Sequence, residues 1–341
     1  MIDNPNIRIL IVRLSAIGDA VHGMPVLCAL RDRFPKARLS WVVESRAAAL
    51  LRGHAALDDL IELPRGWLRS PREVLSLRRQ FRQIGPEVAI DLQGLTKSAV
   101  AAWLSGAKRR IGFADEKGRE LSRWLNNELV DAPAAHVIDA NLQLLAPLGI
   151  SSPEARFDVP ESAEDAATVE AIIAEAAVGP CFAVINPGAG WPSKLWPPER
   201  FAAAAKYLGR ERGVQSLVVW AGGEERTWAE TIVEGSGGGA QMAPATSLTE
   251  LAALCRRAAL FIGSDTGPLH IAAAVGTPCV GLYGPMPAER NGPYGPAHIA
   301  IQKQTFEGTS RERRSAPSSL MEAIEVEDVC RACDEILNRQ D

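Results

Sequence analysis

Gly263-Ser264-Asp265-Thr266-Gly267-Pro268-Leu269-His270 gathers an acid, a hydroxyl and an imidazole between two apolar runs. Ala259 to Ile262 reads as the end of a buried strand and Ile271 to Val275 as a packed helix, so the polar residues fall on a strand-to-helix turn. Pro268 suits a first helical turn, where its missing N–H loses no partner. The free N–H groups of such a turn, together with the positive end of the helix dipole, suit an anion such as a phosphate or pyrophosphate. The competing reading is an ordinary helix start capped by Asp265 or Thr266.

A second junction of the same kind lies near the N-terminus. Ile7 to Val12 is an aliphatic run typical of a strand covered on both faces, and it ends in Arg13-Leu14-Ser15-Ala16-Ile17-Gly18-Asp19. Ligands of open α/β sheets bind outside the carboxyl ends of the strands, which puts Ser15, Gly18 and Asp19 at the lip of a site. The loop carries only Gly18 where a GxGxxG dinucleotide fingerprint would need three glycines, which disfavours a nicotinamide or flavin enzyme.

Three further groups could do chemistry. Asn186 to Pro198 joins Gly188 and Gly190 to one cation, Lys194, which could neutralise charge on a departing phosphate. Glu224 and Glu225, after Ala221-Gly222-Gly223, could accept both hydroxyls of a ribose or could be the acidic first turn of a helix. Arg65, Arg69, Arg72, Arg78, Arg79 and Arg82, with Trp67 among them and only Glu73 against them, suggest an anionic partner or a solvated basic helix face. His22 and His270 fall in the two junctions and His136 precedes an expected helix. No His, Asp and Glu cluster has metal-ligand spacing, so no metal and no other cofactor is expected. Cys330-Arg331-Ala332-Cys333 has redox spacing but no second pair, and reads as a buried helix face.

These residues need strands to position them. In the first half the expected strands are 7–12, 39–43, 60–63 and 88–91, alternating with helical stretches at 25–33 and 71–83. The first helix is expected to begin only a few residues before Pro25, or to kink there. The second half repeats the pattern with strands at 182–185, 216–220, 260–262 and 279–283. Each is followed by glycine or proline, which lets a ligand approach the backbone. A helix is expected at 326–337, and the charged stretch 305–317 before it reads as a loop without chemistry. Alternation of this kind predicts parallel sheets, and 341 residues predict two domains. The expected division is a first domain at 1–160, a linker and helix at 161–179, and a second domain at 180–341.

A net charge of −4 argues against a nucleic-acid binder. Asp3, Arg8, Arg13 and Asp19 interrupt any apolar core that a signal peptide would need, and no apolar run is long enough to span a membrane, so a cytoplasmic protein with reduced cysteines is expected.

Taken in order, Leu14-Ser-Ala-Ile-Gly-Asp-Ala-Val-His22, Trp41-Val-Val-Glu44, Asp91-Leu-Gln-Gly-Leu-Thr-Lys-Ser98, Lys194-Leu-Trp-Pro197, Ser264-Asp-Thr-Gly-Pro-Leu-His270 and Tyr283-Gly-Pro285 resemble the motifs of the lipopolysaccharide heptosyltransferases of glycosyltransferase family 9, most of all heptosyltransferase I. The resemblance implies a GT-B architecture of two Rossmann-like domains facing across a cleft, the first for the acceptor and the second for the nucleotide sugar. It implies ADP-heptose as donor, a Kdo sugar of the lipid A inner core as acceptor, and an inverting displacement without metal, carried out in the cytoplasm at the inner membrane surface. By matching motif, Asp19 becomes the general base. Lys194 and Thr266, with Gly188 and Gly267 beside them, hold the diphosphate. Glu224 or Glu225 meets the ribose, Asp265 and His270 approach the donor sugar, and Ser15 and Gly18 line the donor side. Arg65, Arg69, Lys97 and Arg119 fall where the family binds its anionic acceptor.

The chain departs from heptosyltransferase I at Asn186-Pro-Gly-Ala-Gly-Trp-Pro-Ser193, where threonines and acidic residues would precede the lysine. The rival expectations are a GT-B nucleotide-sugar epimerase, a family member with another sugar donor, and a silent sugar-nucleotide binder. Turnover without acceptor would mark the first.

Overall fold

The structure is a computed structural model that describes residues 4–339. The chain divides into two compact units, Met1–Pro160 and Glu161–Asp341. Each is a doubly wound α/β unit built on a six-stranded sheet whose neighbours all pair in parallel.

In the first unit the strands are β1 (Arg8–Val12), β2 (Arg38–Glu44), β3 (Asp59–Leu63), β4 (Val88–Asp91), β5 (Arg109–Phe113) and β6 (Glu128–Val130), laid side by side as β3-β2-β1-β4-β5-β6. In the second they are β7 (Phe182–Asn186), β8 (Gln215–Val218), β9 (Ala240–Met242), β10 (Leu260–Ser264), β11 (Cys279–Tyr283) and β12 (Ile299–Gln302), laid as β12-β11-β10-β7-β8-β9. Numbered within each unit, both orders are 3-2-1-4-5-6. The direction of winding therefore reverses between β1 and β4, and again between β7 and β10, and at such a reversal the loops diverge and leave a crevice.

The central strands are aliphatic because helices cover both of their faces. Ile9, Leu10, Ile11 and Val12 of β1 are all inaccessible to solvent, as are Ala183, Val184 and Ile185 of β7. Leu10 and Val12 share a core with Trp67, Leu77 and Phe81, while Ala183 and Ile185 share one with Trp196, Phe201 and Ile336. The four strands absent from the sequence reading, β5, β6, β9 and β12, lack that signal. Three of them are short edge strands, and β5 opens on two arginines. Cys330 and Cys333 lie buried on the inner face of the helix Val326–Asn338.

Two expectations need correction. The first helix runs from Ile17 to Arg33 straight through Pro25, starting eight residues before it. Every residue from Ala20 to Leu30 is buried, so packing outweighs the one backbone hydrogen bond that proline forfeits. The charged stretch 305–317 also holds a short helix, Ser310–Arg314, whose Thr309 cap accepts from the Glu312 N–H. That helix is tied to the Lys194 segment by a 2.7 Å bond from Ser193 Oγ to the Arg313 carbonyl. No helix among the described residues is long and apolar enough to cross a membrane.

Candidate functional site

At the first reversal, Val12 at the end of β1 lies in register with Asp91 at the end of β4. Asp91 is fully buried, and burial pushes its carboxyl pKa above the ordinary value. It accepts from the Gln93 and Gly94 N–H groups and from Asn126 Nδ2, which fixes the turn after β4. The chain leaves β1 as Arg13, a buried arginine to which the sequence reading gives no role at the site. Its guanidinium donates to the Leu92 carbonyl and reaches Asp19 Oδ1 at 2.5 Å. Asp19 stands in the first turn of the helix Ile17–Arg33, where Oδ2 accepts from the Ala16 N–H at 2.8 Å. Two bonds thus aim a carboxylate whose side chain is still 38% exposed. It is held, yet open to a substrate hydroxyl.

Lys97 and Ser15 belong to the same corner. Lys97 Nζ donates to Ser15 Oγ at 2.7 Å and pairs with Glu44 at 2.9 Å, so a residue expected at the donor and one expected at the acceptor are bonded to each other. Glu44, at the end of β2, enters the reading only as part of a motif, because a lone acid at a strand end carries no further signal. Arg65, Arg69 and Arg119 are exposed and make no side-chain hydrogen bond or ion pair among the described residues. No bond among the described residues ties these three side chains to Asp19, although the Arg119 N–H donates to the Gly94 carbonyl in the turn after β4. Trp67, plugged into the core, anchors the turn that carries Arg65 and Arg69, and Gly66 supplies the positive φ the turn requires.

At the second reversal, Asn186 at the end of β7 lies in register with Gly263 of β10. Lys194 Nζ sits 2.6 Å from Asp265 Oδ2 and also donates to the Asp265 carbonyl at 3.2 Å. His270 Nε2 lies 3.1 Å from the other carboxylate oxygen. The Asp265 side chain is 4% exposed and that of Lys194 13%. Burial alone would raise the Asp265 pKa, but the His270 hydrogen bond and the Lys194 charge outweigh it and hold the carboxyl below its ordinary range. Lys194, the one cation of its loop, is thus half of a largely buried ion pair.

Neither Asp265 nor Thr266 acts as a side-chain cap for the helix Gly267–Ala274. Ser264 Oγ and Thr266 Oγ1 are instead buried with no hydrogen-bond partner among the described residues. Buried hydroxyls normally have a partner, so two without one beside a helix N-terminus leave room for the oxygens of a ligand. Gly188 meets the same loop cluster from β7, and a Cβ there would stand 2.3 Å from the Glu225 carboxyl carbon. Glu225 accepts from the Ala221 N–H at 2.8 Å, and burial raises its pKa. Of the two acids left open by the sequence, Glu225 is held against the Gly188 loop while Glu224 is exposed.

Trp191 and Arg314 escaped the sequence reading. The Lys194 ammonium lies 4.4 Å from the centre of the Trp191 ring, and the Arg314 guanidinium lies 5.1 Å from the same centre. A cation over an aromatic face is attracted by the ring's quadrupole, so Trp191 adds to the hold that the carboxylate has on the lysine. Only the charge density of 305–317 could have pointed to Arg314, and charge runs are usually solvated. Among the described residues no group of three or more His, Cys, Asp or Glu side chains could hold a metal ion.

The sequence pattern of glycosyltransferase family 9 (heptosyltransferase) matches residues 74–319. The chain is 27% identical over 303 residues to lipopolysaccharide heptosyltransferase 1 of Pseudomonas aeruginosa, covering 86% of this chain and 83% of that one. It is 25% identical over 332 residues to lipopolysaccharide heptosyltransferase 3 of Escherichia coli, covering 94% and 96%. Among solved structures, a glycosyl transferase family 9 protein of Veillonella parvula superposes with a TM-score of 0.86 at 22% identity over 99% of both chains. The E. coli heptosyltransferase WaaC with ADP superposes with a TM-score of 0.74 at 22% identity over 97% and 98%. The fold is that of these glycosyltransferases.

Proposed function

Since the chain belongs to glycosyltransferase family 9 (heptosyltransferase), we propose that it transfers heptose from ADP-heptose to a Kdo sugar of the lipopolysaccharide inner core. Its relatives include heptosyltransferases 1 and 3 of lipopolysaccharide core assembly, and WaaC has been solved with ADP-2-deoxy-2-fluoro heptose. The observation that carries the reading is the second reversal. Lys194, the free N–H groups of the helix Gly267–Ala274 and the unpartnered hydroxyls of Ser264 and Thr266 together offer one cation and several donors to a diphosphate. Gly188 lets the backbone come close, and Glu225 is the acid for the ribose hydroxyls.

The reaction is a single displacement with inversion. An acceptor hydroxyl gives its proton to Asp19 and its oxygen forms the new bond to the anomeric carbon, while the bond from that carbon to the diphosphate oxygen breaks. Arg13 and the Ala16 N–H keep the Asp19 carboxylate aimed. The charge released on the leaving diphosphate is met by Lys194, the helix N-terminus and the two hydroxyls, which supply by fixed groups what a bridging metal supplies elsewhere. In this reading Asp265 and His270 meet the donor sugar, and the exposed Arg65, Arg69 and Arg119 are assigned to an anionic glycolipid acceptor.

Titration calorimetry with ADP, GDP and UDP in a chelating buffer tests the donor half. ADP should bind tightest, by at least about tenfold, because a ligand's selectivity equals its difference in binding free energy between bases. Equal affinity for UDP, or ADP binding only after magnesium is restored, overturns the assignment.

A further inference from the structure

Two cations share the Trp191 ring, and they differ in what else holds them. Lys194 Nζ, 4.4 Å from the ring centre, is bonded to the Asp265 carboxylate at 2.6 Å. The Arg314 guanidinium, 5.1 Å from the same centre, is exposed and makes no side-chain hydrogen bond or ion pair among the described residues. Its N–H donors are left to water. Arg226 offers the contrast, for it lies 5.5 Å from the centre of the Trp220 ring but is paired with Glu230.

The position of Arg314 is built by the chain around it. The helix Ser310–Arg314 spans five residues, too few to persist on its own backbone bonds. It packs on the turn Pro192–Lys194, which ends in the lysine. Ser193, 3% exposed, donates from that turn to the Arg313 carbonyl, one residue before Arg314. The one acid of the helix, Glu312, is turned back on its cap, where it accepts from the Thr309 N–H at 2.6 Å and from the Thr309 hydroxyl at 2.7 Å. Its charge is engaged there and not on Arg314.

The electrostatics of the second reversal call for such a group. Lys194 and Asp265 form an ion pair and are neutral together, whereas a diphosphate carries a charge on each phosphate and gains another as it leaves. On the donor reading given above, on which this inference rests, we propose that Arg314 is a second cation for the diphosphate, held ready by the Trp191 ring and passed from it to a phosphate when the nucleotide sugar binds. A guanidinium suits that exchange, because its planar fork both stacks on an aromatic face and matches two phosphate oxygens at once. The charged helix is then a part of the donor site, tied to the lysine segment through Ser193.

Titration calorimetry of the full chain with ADP and with AMP tests the proposal. Arg314→Ala should bind ADP about tenfold more weakly than the parent, a charge-assisted hydrogen bond less the ring contact given up. Arg314→Glu should bind it more weakly still, and AMP, with one phosphate fewer, should lose less than ADP in both variants. In the transfer assay Arg314→Ala should lower kcat as well as raise the KM of the donor, since charge grows on the diphosphate as its bond breaks. The side chain is exposed, so both variants should melt with the parent. Unchanged ADP affinity in Arg314→Ala, or equal losses for ADP and AMP together with a lowered melting temperature, as a merely structural strap would give, overturns the proposal and leaves the donor reading standing. A parent that fails to bind ADP overturns both.

Discussion

Replacing Asp19 with asparagine is expected to slow heptosyl transfer by ~10²- to 10⁴-fold, the usual contribution of a positioned general base. Asparagine has nearly the same shape and can still accept from the Ala16 N–H, but it cannot take the proton of an acceptor hydroxyl. The variant also strips buried Arg13 of its carboxylate partner. Breaking a buried ion pair costs about 3–5 kcal/mol, and the exposure of the Asp19 side chain puts this case below that range. A fall in melting temperature is therefore expected beside the loss of rate. The two effects separate in the donor measurement, because the diphosphate ligands belong to the second unit and the ADP dissociation constant should stay within a few-fold of the parent. Transfer at a rate within a few-fold of the parent would show that Asp19 is not the base.

Lys194→Ala has the second large effect, and it differs in kind. Removing the lysine takes away the one side-chain cation bonded at the second reversal and leaves a nearly inaccessible Asp265 with only His270. ADP affinity should fall by about ten- to a hundredfold, the worth of a charge-assisted hydrogen bond of ~1.5–3 kcal/mol. Stability should fall as well, with a pH dependence whose sign is fixed. In the parent the Asp265 pKa is depressed, so its contribution to stability is complete above the unfolded carboxyl value and is lost as the pH falls through the folded one. Without Lys194 two of the causes that lower the folded pKa are gone and it rises back toward the ordinary value, so the variant should lose less stability on acidification than the parent does. The double variant Lys194→Ala, Asp265→Asn removes the stranded charge and should recover most of the melting temperature while remaining poor in ADP binding. An unchanged ADP dissociation constant and rate in Lys194→Ala would remove the lysine from the site.

The central strands and both strand-to-helix turns were legible in the sequence because burial on two faces forces uninterrupted aliphatic runs, and the functional turns interrupt them with glycine and polar residues. Edge strands such as Glu128–Val130 and Ala240–Met242 were not, since three residues of mixed exposure make no run. Side-chain partnerships were less visible still. Nothing in the spacing of Arg13 and Asp19, or of Lys194 and Asp265, 71 residues apart, announces an ion pair, because the sheet order that joins them is set by the whole unit. The arginines around Trp67 were visible as composition, and the outward stripe of Arg72, Arg79 and Arg82, opposite the core-facing Leu77, Phe81 and Ile84, became clear only with the helix Pro71–Ile84 in place. Trp191 and Arg314 show the limit most plainly, for their shared cation site depends on a short helix inside a stretch that reads as an unstructured charged loop.

The most direct measurement is a transfer assay on the purified chain in a chelating buffer, with ADP-heptose and an acceptor that ends in Kdo, read by mass spectrometry of the acceptor and by the anomeric configuration of the product. The account predicts an acceptor heavier by one heptose, release of one ADP for each transfer, and inverted configuration at the anomeric carbon. Consumption of ADP-heptose without gain of mass on the acceptor, or a product of retained configuration, would contradict it.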